Sequence, residues 1–343
     1  MVAPLDGRRR TVLRLGVITA QVATLVVSWP LWQLRSEPPL LPALPLPAIS
    51  FGPWLLASLA LAVARPLAGA ICHAVVLLLA ILADQTREQP QVLSMALLLF
   101  AGLPGSAPRA IGVLHLAALW FWSGLGKLTS ERFLTTSSAW LLDPRAADAL
   151  GSAPTAAVLL AVGLGSAEIA LGMLALVPRA RPLTARLGLL LHTVALLLLA
   201  SRGWNPEVWP WNAALAASAW LLLREAADQE GPLLDGIAVR LTAVAFVALP
   251  LGFHAGLVDA PFAGQVYTSN ACHGLVLRAD GRTKLIGTLS EVRAQLPPVP
   301  RLVRAWFAAT ARPGDRMILV DDRPLGGLLG PRESLIDAPW RAP

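Results

Sequence analysis

Apolar residues in this chain are gathered into long blocks, at 11–33, 52–64, 67–83, 91–104, 109–127, 154–177, 184–200, 207–223 and 238–257, divided by short basic or proline-rich breaks. Spanning a bilayer core takes about 20 mostly apolar residues per helix, and in hydrocarbon the helix satisfies its own backbone polar groups. Several blocks reach that length. A soluble fold has too little interior to hide them: 55% of the residues are hydrophobic, 14% are charged and the mean hydropathy is +0.61, against about 25% charge in ordinary globular domains. The pattern predicts an all-α polytopic membrane helix bundle of about nine helices, with the lipid bilayer as its solvent.

The count turns on 52–83, where Arg65-Pro66 divides the apolar run. It reads either as a tight hairpin of two helices or as one kinked, over-long span. Cytoplasmic loops carry excess Lys and Arg. With a hairpin and a cytoplasmic N-terminus, the inner side takes Arg8, Arg9, Arg10, Arg14, Arg65, Arg109, Arg179, Arg181, Arg186, Arg224 and Arg240. The outer side takes only Arg35, Arg87, Lys127, Arg132, Arg145 and Arg202. A single span gives a narrower margin, so the hairpin is the better reading. It places the protein in a bacterial-type inner membrane with the C-terminal region extracytoplasmic.

Four regions follow. Residues 1–109 hold the first helices and, at 34–53, an extended proline-rich connector. Residues 110–223 form a second helical group, and 224–257 carry the last transmembrane helix. Between 128 and 153, Asp143-Pro144 and Gly151 have the cap, first-turn proline and terminating glycine of a short surface helix. From 258 charge rises and the apolar runs shorten. Leu275–Leu277 and Lys284–Ile286 flank Asp280-Gly281, a hairpin signal; 299–311 suits a helix and 317–320 a strand. Residues 258–343 are thus expected to form a small C-terminal α+β extramembrane domain.

The formal charge of +7 is spread over the loops, where it orients the helices and meets lipid head groups. A nucleic-acid surface needs a concentrated basic face, so nucleic acid is excluded as a partner. Two cysteines, Cys72 and Cys272, without a CxxC pair, exclude a disulfide framework or a thiolate metal cage. They read as a buried inert thiol and a lone outer thiol. No His pair at ligand spacing points to a metal.

An ionisable side chain inside a span costs roughly 2.5–3.5 kcal/mol unless paired, which makes Glu168 the most informative residue. It lies among Gly163, Gly165, Gly172 and several alanines, small neighbours that let a partner helix approach. It is either a carboxylate lining a site or a structural hydrogen bond between helices. Lys127 ends the block bearing Trp120, Phe121 and Trp122. It either snorkels to the interface beside an aromatic belt or serves as a base in an enclosed pocket. Those two are the candidate catalytic residues. His115 and His192, each mid-helix, are candidate cofactor-binding residues or satisfied packing histidines. Asp84, Arg87 and Gln89 read as a solvated turn, and Trp204, Trp209 and Trp211 as interfacial anchors.

The string Trp122-Ser123-Gly124-Leu125-Gly126-Lys127-Leu128 resembles a helix signature of the DoxX and MauE-like membrane families. There the next helix carries a glutamate, then glycine and leucines, then a basic turn, matched here by Glu168, Gly172, Leu174, Leu176, Arg179, Arg181 and Arg186. Over 110–223 the resemblance implies a four-helix module of a redox-associated accessory protein, handling quinone or another lipid-soluble ligand or assisting thiol oxidation. The same stretch is similar to the vitamin K-dependent γ-carboxylase-like (HTTM) proteins, which implies a membrane enzyme with Lys127 as base. A third reading is a scaffold recruiting a protein partner through 258–343. The cofactor itself is left open.

Overall fold

The computed structural model describes residues 4–47, 49–136, 153–224, 233–264, 268–324 and 332–338. Eleven α-helices are found among them: α1 (Gly7–Val27), α2 (Gly52–Ala64), α3 (Pro66–Ala83), α4 (Pro90–Ala101), α5 (Ser106–Leu128), α6 (Glu131–Thr135), α7 (Ala153–Leu176), α8 (Arg181–Ser201), α9 (Trp209–Leu223), α10 (Ile237–His254) and α11 (Pro300–Thr310). Six segments are long and apolar enough to cross a membrane, in α1, α3, α5, α7, α8 and α10. The chain is a multi-pass membrane protein. The surface helix expected around Asp143-Pro144 and Gly151 lies outside the described residues.

Every apolar block of the sequence becomes a helix, yet the expected nine spans are not matched in length. Helices α2, α4 and α9 have 13, 12 and 15 residues, hence about 18 to 23 Å at 1.5 Å per residue, short of a core of about 30 Å. Between α2 and α3 the chain breaks at Arg65 (φ −130°, ψ 81°), with Pro66 opening α3. A Cβ on Gly69 would strike the backbone of Leu61 and Ala62, so the two helices lie in close contact as a hairpin.

By contact density the chain forms two compact units. One comprises Met1–Leu116, Leu174–Ala245 and Gly287–Pro297; the other comprises Ala117–Met173, Phe246–Ile286 and Pro298–Pro343. In the first, α1 packs on α9, α4 and α2, and α8 pairs with α9. A row of buried polar side chains stitches these helices together. Ser58 Oγ meets His73 Nδ1 at 2.9 Å, and His73 Nε2 lies 3.2 Å from Gln21 Nε2, which also donates to the Val92 carbonyl. Two residues along α4, Ser94 Oγ accepts from Trp211 Nε1 (2.9 Å) and contacts His115 Nε2 (2.7 Å). A small hairpin, β3 (Thr288–Leu289) with β4 (Ala294–Gln295), belongs to the same unit.

Residues 84–89 are a correction to the solvated turn expected there. Asp84, Thr86, Arg87, Glu88 and Gln89 are all buried. Asp84 accepts from Arg35 Nη2 (2.5 Å), the Thr86 hydroxyl (2.9 Å) and the Leu41 amide (3.2 Å). Arg87 donates to the carbonyls of Leu31 (2.9 Å), Gln33 (3.0 Å) and Ala80 (3.3 Å) while lying over the Phe51 ring. The proline-rich connector supplies Arg35, Leu41 and Phe51 among these partners. With its φ angles restrained and few amide donors of its own, it folds over the turn and removes it from solvent. Trp211 is likewise buried rather than interfacial.

The second unit contains a four-stranded antiparallel sheet in the order β2-β1-β5-β6, from β1 (Cys272–Leu277), β2 (Thr283–Ile286), β5 (Arg316–Asp321) and β6 (Glu333–Asp337). The turn between β1 and β2 falls at Asp280-Gly281, where Gly281 takes φ +82°. Strand β1 alternates buried and half-buried residues, so one face is covered. Helix α11 covers it with Leu302, Val303 and Phe307. A Cβ on Gly274 would stand 2.9 Å from Val303 Cγ1 and 2.7 Å from Met317 Sδ, so glycine there lets helix and sheet close up.

Candidate functional site

Helices α5 and α7 meet along a seam of small residues. A Cβ at Gly124 would lie 2.8 Å from the Ile169 amide nitrogen and 2.9 Å from Glu168 Cβ, and one at Gly172 would lie 2.7 Å from the Phe121 amide nitrogen. Small residues at such a seam allow the backbones to approach. The approach carries Glu168 to the last turn of α5.

There the Lys127 Nζ donates to Glu168 Oε2 at 2.7 Å and to Ser123 Oγ at 2.6 Å. Ser123 and Lys127 are four residues apart, so they share a helix face. The Phe133 ring lies 5.9 Å from the same ammonium. Only 3% of Lys127 and 8% of Glu168 is exposed. Lys127 therefore does not snorkel, contrary to that expectation. A carboxylate on the facing helix offers the charge what the interface would have offered.

A neighbouring face of α5, through Leu119, Trp122, Gly126 and Thr129, is met by Phe246, His254, Gly264 and Asn270. Trp122 Nε1 donates to the Phe246 carbonyl at 2.8 Å. Pro250 inside α10 explains that bond. A proline has no N–H, so the carbonyl four residues earlier loses its helical donor, and the indole supplies one. The ring of His254 lies 6.1 Å from that of Trp122, centroid to centroid. Asn270 Nδ2 donates to the Gly126 carbonyl (2.7 Å) and to Thr129 Oγ1 (3.2 Å), capping the end of α5. Beyond it, Arg132 Nη1 on α6 lies 3.0 Å from His273 Nε2 and 3.4 Å from Asp322 Oδ2. Burial first, then Arg132, holds the His273 imidazole below its usual range, with Asp322 opposing.

The structure thus brings Lys127 and Glu168 together. His115 and His192 have protein partners of their own. The first contacts Ser94, and the second holds Asn212 Oδ1 at 3.2 Å from its Nδ1. Asn212 Nδ2 is committed to the Val208 carbonyl, so its Oδ1 faces His192 and Nδ1 of His192 is the donor between them. Both cysteines are free thiols. Cys72, expected to be buried, is half-buried, whereas Cys272 is buried in β1, where burial pushes its thiol up to about 12.

Asn270 and His254 escape a reading of the sequence. Neither interrupts an apolar block conspicuously, and their significance lies in hydrogen bonds made or left unmade in the folded chain. Comparisons with protein-family models, with curated proteins and with solved structures find no match. The functional reading therefore rests on the site itself.

Proposed function

We propose that the protein is a redox-associated accessory module of the DoxX and MauE-like type, built around Lys127 and Glu168 as a polar centre for a quinone or another lipid-soluble ligand. The observation that carries this reading is the buried pair at 2.7 Å, held across two helices within a turn of the end of α5. Intramembrane ionisable residues that pair in this way mark ligand, ion or proton sites. The Ser123 hydroxyl orients the ammonium, and the glycine seam fixes the distance. The alternative γ-carboxylase-like enzyme needs Lys127 to meet its substrate as a free amine. An ammonium already shared by a carboxylate and a hydroxyl favours the accessory role.

The test compares Lys127→Ala, Glu168→Gln and the exchanged pair Lys127→Glu with Glu168→Lys. Membrane level, partner co-purification and quinone-linked redox activity are measured. The single variants are expected to lose the activity and the co-purification, and the exchanged pair to regain membrane level without activity. Wild-type values in all three assays for both single variants would sink the reading.

We further infer that the N-terminus is cytoplasmic and the sheet-bearing region extracytoplasmic. Asn270 and His273 touch Gly126, Thr129 and Arg132, which supports a sheet region on the side where α5 ends. An even number of crossings must then separate Leu128 from Asn270. Helices α7, α8 and α10 provide three, so the 15-residue α9 is the fourth despite its length. From the N-terminus to the end of α5 the number is odd when the short helices α2 and α4 both cross, giving five, and equally when neither does, giving three.

A further inference from the structure

We propose that Arg132, His273 and Asp322 form a proton-operated latch on α6, which keeps Phe133 over Lys127 while His273 is neutral and releases it once His273 is protonated. The inference rests on reading the Lys127 and Glu168 pair as a ligand site, and adds how that site is opened.

Helix α6 has five residues, too few to stand as a helix alone, so side-chain contacts must hold it. Ser130 caps it, its Oγ accepting from the Phe133 amide at 3.1 Å. Adjacent residues of a helix project about 100° apart, which sends Phe133 and Arg132 to different neighbours. Phe133 is fully buried, with its ring centroid 5.9 Å from the Lys127 ammonium. Arg132 reaches the sheet instead. Its Nη1 stands 3.1 Å from Nδ1 and 3.0 Å from Nε2 of His273, and 3.4 Å from Asp322 Oδ2.

Both ring nitrogens are within reach, so either neutral tautomer offers the guanidinium a lone pair. The imidazolium offers none. It sets a second positive charge beside Arg132 and competes for Asp322, whose Oδ2 lies 3.6 Å from Nδ1. The other charges nearby stand apart from this exchange. Asp321 takes Arg323 at 2.8 Å, Val320 separates His273 from Glu333 along the sheet, and Glu131 of α6 is exposed. Arg304 of α11 acts on Cys272, on the covered face of β1. The latch itself meets solvent, with side-chain exposures of 43% for Arg132, 29% for Asp322 and 22% for His273, so a proton reaches it from bulk water. Burial and then Arg132, against Asp322, hold the closed His273 below its ordinary value of 6.5. The latch is therefore shut above that pH and opens as pH falls beneath it.

Hydrogen exchange of residues 131–135 tests the latch, read by mass spectrometry on the full chain in lipid nanodiscs and corrected for the intrinsic pH dependence of exchange. Going from pH 7.5 to pH 5 is expected to lower protection about ten-fold, the loss of one hydrogen bond to a charged group, while β1 and β5 keep theirs. His273→Gln is expected to hold the pH 7.5 level under both conditions. His273→Arg, charged throughout, is expected to lack protection under both. It should also admit a water-soluble acylating reagent to Lys127 several-fold faster than wild type at pH 8. Lys284, exposed and the chain's one other lysine, is the internal reference. The wild-type comparison needs no variant to fold. Equal wild-type protection at the two pH values would mean that Phe133 alone secures α6, and would overturn the proposal. An undiminished pH response in His273→Gln, or Lys127 labelling unchanged in His273→Arg, would overturn it too. If these results came with an intact Lys127 and Glu168 phenotype, only this inference would fall; wild-type behaviour of Lys127→Ala and Glu168→Gln would remove the reading beneath it.

Discussion

The Lys127 ammonium and the Glu168 carboxylate stand 2.7 Å apart on facing helices, both almost wholly removed from solvent. Neither charge is tolerable there alone. Taking an ion out of water costs several kcal/mol, and mutual attraction at short range offsets it. The neighbouring glycines are thus a condition of the pair, since a Cβ at Gly124 would push α7 away.

Removing one partner should therefore be worse than removing both. Lys127→Met or Glu168→Leu alone is expected to cost about 3–5 kcal/mol, because each strands a buried charge. The double variant should be less destabilised than either single one. Thermal unfolding in detergent, followed by near-ultraviolet circular dichroism, measures all three. Simple additivity would show that the two residues are not coupled.

A second coupling joins Trp122 and Pro250, which do not need to touch. Trp122→Phe keeps the ring but leaves the Phe246 carbonyl without the indole donor, a loss expected to cost about 1–3 kcal/mol. Pro250→Ala restores an N–H four residues after Phe246. The double variant should recover most of the stability lost by Trp122→Phe. If Pro250→Ala rescues nothing, the indole bond is not replacing a helical one.

The helical blocks were legible because apolar length is a local property of the chain. Lys127 and Glu168 stood out for the same reason, as ionisable residues within or ending such blocks. The buried turn at 84–89 was not legible. Its polar composition describes a solvated loop, and the residues that cover it, Leu31, Gln33, Arg35 and Leu41, come from 43 to 56 positions earlier. Helix α9 shows the limit of the length rule. Its fifteen residues read as a span only under the proposed topology, in which the contacts of Asn270 with the end of α5 call for a fourth crossing.

Cys272 gives the sheet region a pH dependence with a definite sign. Burial raises its thiol from 9.0 to about 12, so the folded chain keeps a proton that the unfolded chain has released between those values. Stability from this group is therefore complete below pH 9 and falls as pH rises through that window, by at most about 1.4 kcal/mol per unit. Cys272→Ala should remove this part of the alkaline slope in denaturant titrations. The native thiol should also resist maleimide at pH 8 and react on unfolding. Rapid labelling of the folded protein at that pH would contradict the burial.

The parity of crossings makes the last prediction. The sheet region contacts the end of α5 through Asn270 and His273, and the topology proposed above puts an odd number of crossings between the N-terminus and that end. A reporter active only outside the cytoplasm should therefore be active when fused after residue 343, while one active only in the cytoplasm should report from the N-terminus. Fusion within 202–205, between α8 and α9, should match the C-terminal result, and fusion at 233–235, after α9, should reverse it. That pair of fusions isolates α9. If both report the same side, the 15-residue helix does not cross. The contacts between 270–273 and the end of α5 could not then form in the membrane.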